Sequence, residues 1–261
     1  MKNFTLITGA TGGIGKAFTI ECAKKGYNLF LTGRSEEKLV ALKEEIKNYG
    51  VEIQIFACDI TNENSRKSML EYIDKNSIKF ERLINVAGVD TQMGFTQYSQ
   101  EKVLFQIRVN VEGTISLTHA ILSRKAENLE ILTISSMSGA SPMPYFALYS
   151  ASKCMLTNFF TALHYELKKQ SVKVTVVTPG GVPTREDIIK DIEGQGLWGK
   201  LSVVQPRKLA RKSLKALAKN KVKYIPGFFN KLLNLIIKIT PKCIRLRFIA
   251  NRWKKIKKDA F

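Results

Sequence analysis

Short apolar runs alternate with longer amphipathic stretches through the first 180 or so residues. Asn3–Thr8 (NFTLIT), Tyr27–Thr32 (YNLFLT), Glu52–Ala57, Arg82–Val86, Leu129–Ser135 and Val172–Thr178 are apolar, short and bounded by turn residues, which predicts buried strands. Between the first two, Gly13–Lys25 sets Ile14, Ala17, Phe18 and Cys22 at helical spacing. Glu36–Tyr49 follows Ser35, a residue suited to capping, and carries acids in its first turn. Asn62–Asn76 is a polar helix with Thr61 as its expected cap, and further helices are expected around Glu101–Leu122 and over Ala147–Lys169. Strand and helix in regular alternation predict an α/β domain, a doubly wound parallel sheet with helices on both faces. After Pro179 the pattern loosens: 186–201 reads as a mobile flap, Arg207–Lys219 as a helix, Val222–Pro226 as a short strand and the remainder as basic helix. The expected organisation is therefore one catalytic domain over 1–226, with a basic helical C-terminal extension over 227–261.

Composition fits a folded domain of 261 residues, 44% hydrophobic and 25% charged. The placement of charge is more informative than the net +20. Residues 205–261 hold 18 of the 42 Lys/Arg and one of the 22 Asp/Glu, leaving the first 204 residues nearly balanced. Such a tail suggests an anionic surface or partner. Four scattered cysteines and two distant histidines show no metal-ligand spacing, so no metal is expected. Thiols of this kind, a strand beginning at Asn3 that leaves no room for a leader, and the lack of an apolar run of roughly 18 residues lead us to expect a cytoplasmic chain.

The chemistry begins at Thr8-Gly9-Ala10-Thr11-Gly12-Gly13-Ile14-Gly15, between the first strand and the first helix. Glycines allow a sharp turn and a close approach to a pyrophosphate, and a helix N-terminus offers unpaired N–H groups and a positive dipole end. A plain glycine-rich turn would read the same in isolation. The second strand ends Thr32-Gly33-Arg34, where an NAD site would place a carboxylate for the ribose 2′-hydroxyl. A guanidinium instead grips a 2′-phosphate, which favours NADP(H) over NAD(H); a solvated arginine is the bland alternative. Asp59 with Ile60, and Asn85-Val86-Ala87-Gly88, fall at the C-terminal ends of strands, where open parallel sheets bind ligands. Tyr149 and Lys153 stand at i and i+4 on one helix face, so an ammonium can lower the phenol pKa, and Ser136, thirteen residues earlier at a strand end, can bond a substrate oxygen.

Taken in order, TGATGGIG, LTGR, Asp59, NVAG, VNVEGT, ISSMSG, YSASK and PGGVPT resemble the short-chain dehydrogenase/reductase family over about residues 3–185, with Val86 standing where the family often has Asn. The resemblance implies a Rossmann fold and interconversion of a carbonyl and a secondary alcohol. It makes Tyr149 the general acid in reduction and the base in oxidation, and gives Lys153 the tasks of lowering the phenol pKa and bonding the nicotinamide ribose. Ser136 would hold the carbonyl, and Asn110 would fix a water that links Lys153 to solvent. Pro179, Gly180, Val182 and Thr184 would flank the nicotinamide and phosphates. It also implies a homodimer or homotetramer through the helix carrying Tyr149.

Pocket walls are expected from Met93, Met143, Tyr145 and Trp198, an apolar set suited to a steroid or a 3-oxoacyl group, with ordinary loop packing as the alternative. The tail is similar to the branch containing 3-ketoacyl-CoA reductases and 17β-hydroxysteroid dehydrogenases. Within it Ile249, Trp253 and Ile256 share a helical face ringed by Arg252, Lys254, Lys255, Lys257 and Lys258, which suggests peripheral contact with an anionic membrane. A packed dimer element or a solvated tail would read alike. A catalytically weak NADP(H) sensor is the alternative function, against which the Tyr/Lys/Ser set is complete. No recognition motif supports nucleic-acid binding.

Overall fold

β1 (Asn3–Thr8) lies in the middle of a parallel sheet ordered β3-β2-β1-β4-β5-β6-β7. The computed structural model describes residues 3–194 and 196–254. β2 (Leu29–Gly33) and β3 (Ile53–Ala57) extend the sheet to one side of β1; β4 (Lys79–Asn85), β5 (Lys125–Ile134), β6 (Val172–Val177) and β7 (Lys223–Tyr224) extend it to the other. The strand order reverses between β1 and β4, which opens a crevice beyond their C-terminal ends.

Alternation along the strands builds a core on each face. In β1, Phe4 and Leu6 point one way and Ile7 the other; in β2, Phe30 opposes Leu29 and Leu31. Ile7, Leu29 and Leu31 meet Phe18 of α1 (Gly13–Ala23), Leu42 of α2 (Glu36–Ile46) and Leu214 of α9 (Pro206–Ala218). On the opposite face Leu6, Phe30 and Phe80 meet Met69 of α3 (Glu63–Lys75), Ile121 of α5 (Gly113–Leu122) and Phe160 of α6 (Ala147–Glu166). The expected doubly wound α/β architecture is what the chain adopts.

Three local departures have physical causes. Ser35 caps α2 as expected, accepting from the Lys38 N–H at 3.2 Å, but α3 is capped by Asn62, which accepts from Ser65 N–H at 3.0 Å. Thr61 is drawn away, its N–H and hydroxyl both donating to Asp59 Oδ1 (2.9 and 2.8 Å). The long helix expected around Glu101–Leu122 is two helices, α4 (Gln100–Ile107) and α5, joined by a π turn over Arg108–Glu112 that brings Asn110 inward. The segment read as a flap forms α7 (Glu186–Gly194) and α8 (Gly196–Ser202). The chain then runs through α9 and β7 into α10 (Phe228–Ile239) and α11 (Lys242–Trp253), both of which turn back over the crevice.

Candidate active site

A cavity of about 810 Å³ occupies the crevice, running from the glycine loop past the end of β5 to α10 and α11. Its floor is the β1–α1 turn. Gly9 adopts φ 61°, and its carbonyl oxygen lies where a Cβ on Gly15 would sit 2.0 Å away, so only glycine allows α1 to start this close to β1. α1 has no side-chain cap and no acid in its first turn, which leaves its N-terminal N–H groups and dipole facing the cavity. Thr184 leans on this loop closely enough that a Cβ on Gly13 would come within 2.5 Å of it. Of the other residues expected to hold a cofactor, Thr11, Gly12, Ile14, Asp59, Ile60, Ala87, Gly88, Pro179, Gly180 and Val182 line the same cavity. Arg34 lines it too, exposed at the end of β2 with its guanidinium 5.9 Å from the centroid of the Phe105 ring.

Asn85 corrects that reading. Its side chain turns into the core, donating to Thr118 Oγ1 (3.0 Å) and Thr133 Oγ1 (3.2 Å), and does not reach the cavity. It ties β4 to β5 and α5, while Thr8 Oγ1 accepts from the N–H groups of Val86 (3.0 Å) and Ala87 (3.2 Å) to hold the loop that follows.

Ser136, Tyr149 and Lys153 sit beyond the end of β5. Ser136 caps a short turn, its Oγ accepting from Ser138 N–H at 3.1 Å, and it lines the cavity together with Tyr149. Ser135 Oγ donates to the Lys153 carbonyl at 2.7 Å, which fastens this strand end to α6. Lys153 Nζ donates to the Ile134 carbonyl at 3.0 Å and lies 5.7 Å from the centroid of the Tyr149 ring. Burial pulls this ammonium down from 10.5 to about 8, with the Asp90 carboxylate opposing. Burial also pushes the Tyr149 phenol above its ordinary value of 10.0; the Asp90 carboxylate adds to the rise and the Ser136 side chain works against it. The sequence reading has Lys153 lowering the phenol pKa, whereas among the protein's own groups desolvation is the larger effect and the phenol stays protonated.

Asn110 is fully buried behind this cluster. Its Oδ1 accepts from Val89 N–H (2.8 Å), and its Nδ2 donates to Val89 O (2.9 Å) and Ser152 Oγ (3.2 Å). With its side chain so committed it positions the β4 loop and α6 and does not line the cavity.

A model of the short chain dehydrogenase family matches residues 3–190. The chain belongs to the short-chain dehydrogenase family. Sulfoacetaldehyde reductase 2 of Chromohalobacter salexigens is 31% identical over 197 residues, covering 73% of this chain and 77% of that protein. Very-long-chain 3-oxoacyl-CoA reductase of Kluyveromyces lactis is 31% identical over 184 residues, covering 67% of this chain and 53% of that protein, so the match spans about half of that relative's length. A solved structure of a 7β-hydroxysteroid dehydrogenase superposes with a TM-score of 0.83 at 26% identity, over 95% of this chain and 96% of that one. The family interconverts alcohols and carbonyls with a nicotinamide cofactor. The residues present fit such a group: an uncapped helix N-terminus, a glycine cradle that side chains would fill, and half-buried Tyr149 and Ser136 beside the buried Lys153 in the same cavity.

In this short-chain dehydrogenase the end of the cavity away from the glycine loop is built largely by the tail. Leu233, Ile237, Ile244, Phe248, Ile249 and Trp253 line it together with Met143 and Phe146. Asn230 anchors α10, its Nδ2 donating to Pro226 O (2.8 Å) and Ser202 O (3.0 Å). Two expected wall residues are corrected: Met93 and Tyr145 line a separate pocket of about 230 Å³ beneath Ala250, because Tyr145, at φ 63°, turns out of the main cavity. The Trp198 side chain lies outside the described ones. Ile249 and Trp253, expected to meet a membrane, point inward, and Ile256 lies outside the described residues. Asp90 lines the cavity, its carboxylate acts on both Tyr149 and Lys153, and it lies 3.8 Å from the Arg185 guanidinium. Among the described residues no cluster suits a metal ion, and no helix is long and apolar enough to cross a membrane.

Proposed function

We propose that this chain is an NADP(H)-dependent oxidoreductase that interconverts a ketone and a secondary alcohol on a bulky hydrophobic substrate, sterol-like or 3-oxoacyl in kind. The observation that carries the reading is Tyr149, its ring 5.7 Å from the buried Lys153 ammonium, sharing one cavity with Ser136, the glycine loop and an apolar roof. The preference for NADP(H) is supported by Arg34, a cation at the cavity edge where an NAD site would hold a carboxylate. The substrate class is supported by the apolar lining from α10 and α11, and by the kinds of compound that the similar 3-oxoacyl-CoA reductase and 7β-hydroxysteroid dehydrogenase are named for.

Bound NADPH supplies the hydride. The chain's own groups manage the oxygen. Ser136 donates a hydrogen bond to the carbonyl oxygen, which polarises it and stabilises the charge that develops there. Tyr149 gives that oxygen its phenolic proton, a task for which a pKa held high by burial keeps it in the acid form. Lys153, an ammonium at neutral pH, favours the tyrosinate left behind. In alcohol oxidation the same proton moves in the opposite sense.

A Tyr149→Phe variant tests the proposal. Its turnover of a hydrophobic ketone should fall by about 10²–10⁴, with NADPH binding, followed by nucleotide fluorescence, retained. Turnover equal to the parent would overturn the mechanism.

A further inference from the structure

α10 carries two apolar faces, and only one of them has work in the cavity. Leu233 and Ile237 point inward with Asn230. Phe228, Leu232, Leu235 and Ile239, at i, i+4, i+7 and i+11, form a second stripe that is exposed, Phe228 at 84% and Ile239 at 73%. On α11, Ile244 and Phe248 at the cavity mouth are exposed as well, at 60% and 61%. Large apolar residues contiguous on two adjacent helices mark an interaction surface.

The charge around the stripe identifies its partner. Lys231, Lys238, Lys242, Arg247 and Lys254 are exposed on or beside the same two helices, and no Asp or Glu occurs between Glu193 and Asp259. A second copy of this chain would bring cation against cation over this face. A duplex would meet the cations but leave the apolar stripe in water. An anionic bilayer satisfies both at once: the stripe enters the acyl boundary while the lysines reach the phosphates along their aliphatic stems.

We propose that the exposed face of α10 and the start of α11 dock the protein on an anionic lipid surface. Ile236, Ile244 and Phe248 are both exposed and part of the cavity lining, so docking sets the mouth of the cavity against the lipid.

The test is co-sedimentation of the full chain with vesicles of phosphatidylcholine mixed with phosphatidylglycerol, and with vesicles of phosphatidylcholine alone. Binding to the mixed vesicles, weak binding to the neutral ones and release at high salt are expected. The double variant Leu235→Glu/Ile239→Glu alters two exposed residues that do not line the cavity. It should bind the mixed vesicles at least tenfold less tightly, with its melting temperature unchanged. A double variant that sediments like the parent would overturn the proposal. So would a parent that stays in solution, or a parent that is a dimer which this variant splits, or one that prefers duplex DNA to the mixed vesicles.

Discussion

The Phe146 ring is stacked on that of Tyr149, with 4.5 Å between centroids and 22° between planes. The Trp253 indole is in turn stacked on Phe146, at 6.1 Å and 21°. The last described helix is thereby joined through one buried ring to the proton donor. Stacked pairs are worth about 0.5–1.5 kcal/mol each beyond their buried area. In Trp253→Ala we expect kcat/KM for a bulky ketone to fall about tenfold, a loss of roughly 1.4 kcal/mol in transition-state stabilisation. A small ketone that does not reach the roof should lose less. Steady-state NADPH oxidation with both substrates checks this, and equal losses would mean that the stack serves stability alone.

The proposed preference for NADP(H) rests on Arg34. A charge-assisted hydrogen bond is worth about 1.5–3 kcal/mol, so Arg34→Glu should raise the KM for NADPH by about 10- to 150-fold. The KM for NADH should hold or improve, because a carboxylate accepts from a ribose hydroxyl. The ratio of kcat/KM for the two nucleotides is the measurement, and an unaltered ratio would remove Arg34 from the cofactor site.

Lys153 links protonation to folding. Its value in the folded chain is about 8, against 10.5 ordinarily. Between those limits the unfolded chain binds the proton that the folded chain has released, so this group makes stability rise with pH through that window. The full difference is about 3 kcal/mol, at 1.36 kcal/mol per unit. Tyr149 acts in the opposite sense and only above pH 10, where the unfolded phenol ionises first. Denaturant melts from pH 7 to 10 should show Lys153→Met more stable than the parent at pH 7, with the gap narrowing as pH rises. Parallel curves would contradict the depressed value.

Asp90 raises the pKa of both members of the catalytic pair. Replacing it with Asn removes that carboxylate, so the Tyr149 and Lys153 values should both fall. The pH profile of kcat/KM for alcohol oxidation should move toward lower pH, while Asn retains the shape of the side chain. A profile that stays in place would show Asp90 to be screened from the pair.

Much of the architecture follows from strand periodicity, because the central strands are short apolar runs and the early helices α1, α2 and α3 begin at a glycine, Ser35 and Asn62. The nucleotide end of the site was equally legible, since it is built from backbone at strand ends, and the glycines that permit that approach are visible as letters. Asn85 misled because a strand-end position does not fix the direction of a side chain: here the hydroxyls of Thr118 and Thr133 capture it. The π turn at Arg108–Glu112 escaped because a single added residue barely disturbs helical spacing in the sequence. Met93, Tyr145 and the inward turn of Trp253 escaped for a different reason. A helix with apolar residues on two sides does not announce which side is covered, and only the packing of α10 and α11 over the crevice decides it.

The family match ends at residue 190, while the roof over the substrate spans residues 228–253. On the proposed function, proton donor and selector therefore lie in separable parts of one polypeptide, in contact through Phe146. Substitutions in the last two described helices can retune which molecules are accepted while leaving the hydrogen-transfer machinery intact, an arrangement that lets one catalyst diversify by exchanging its ceiling.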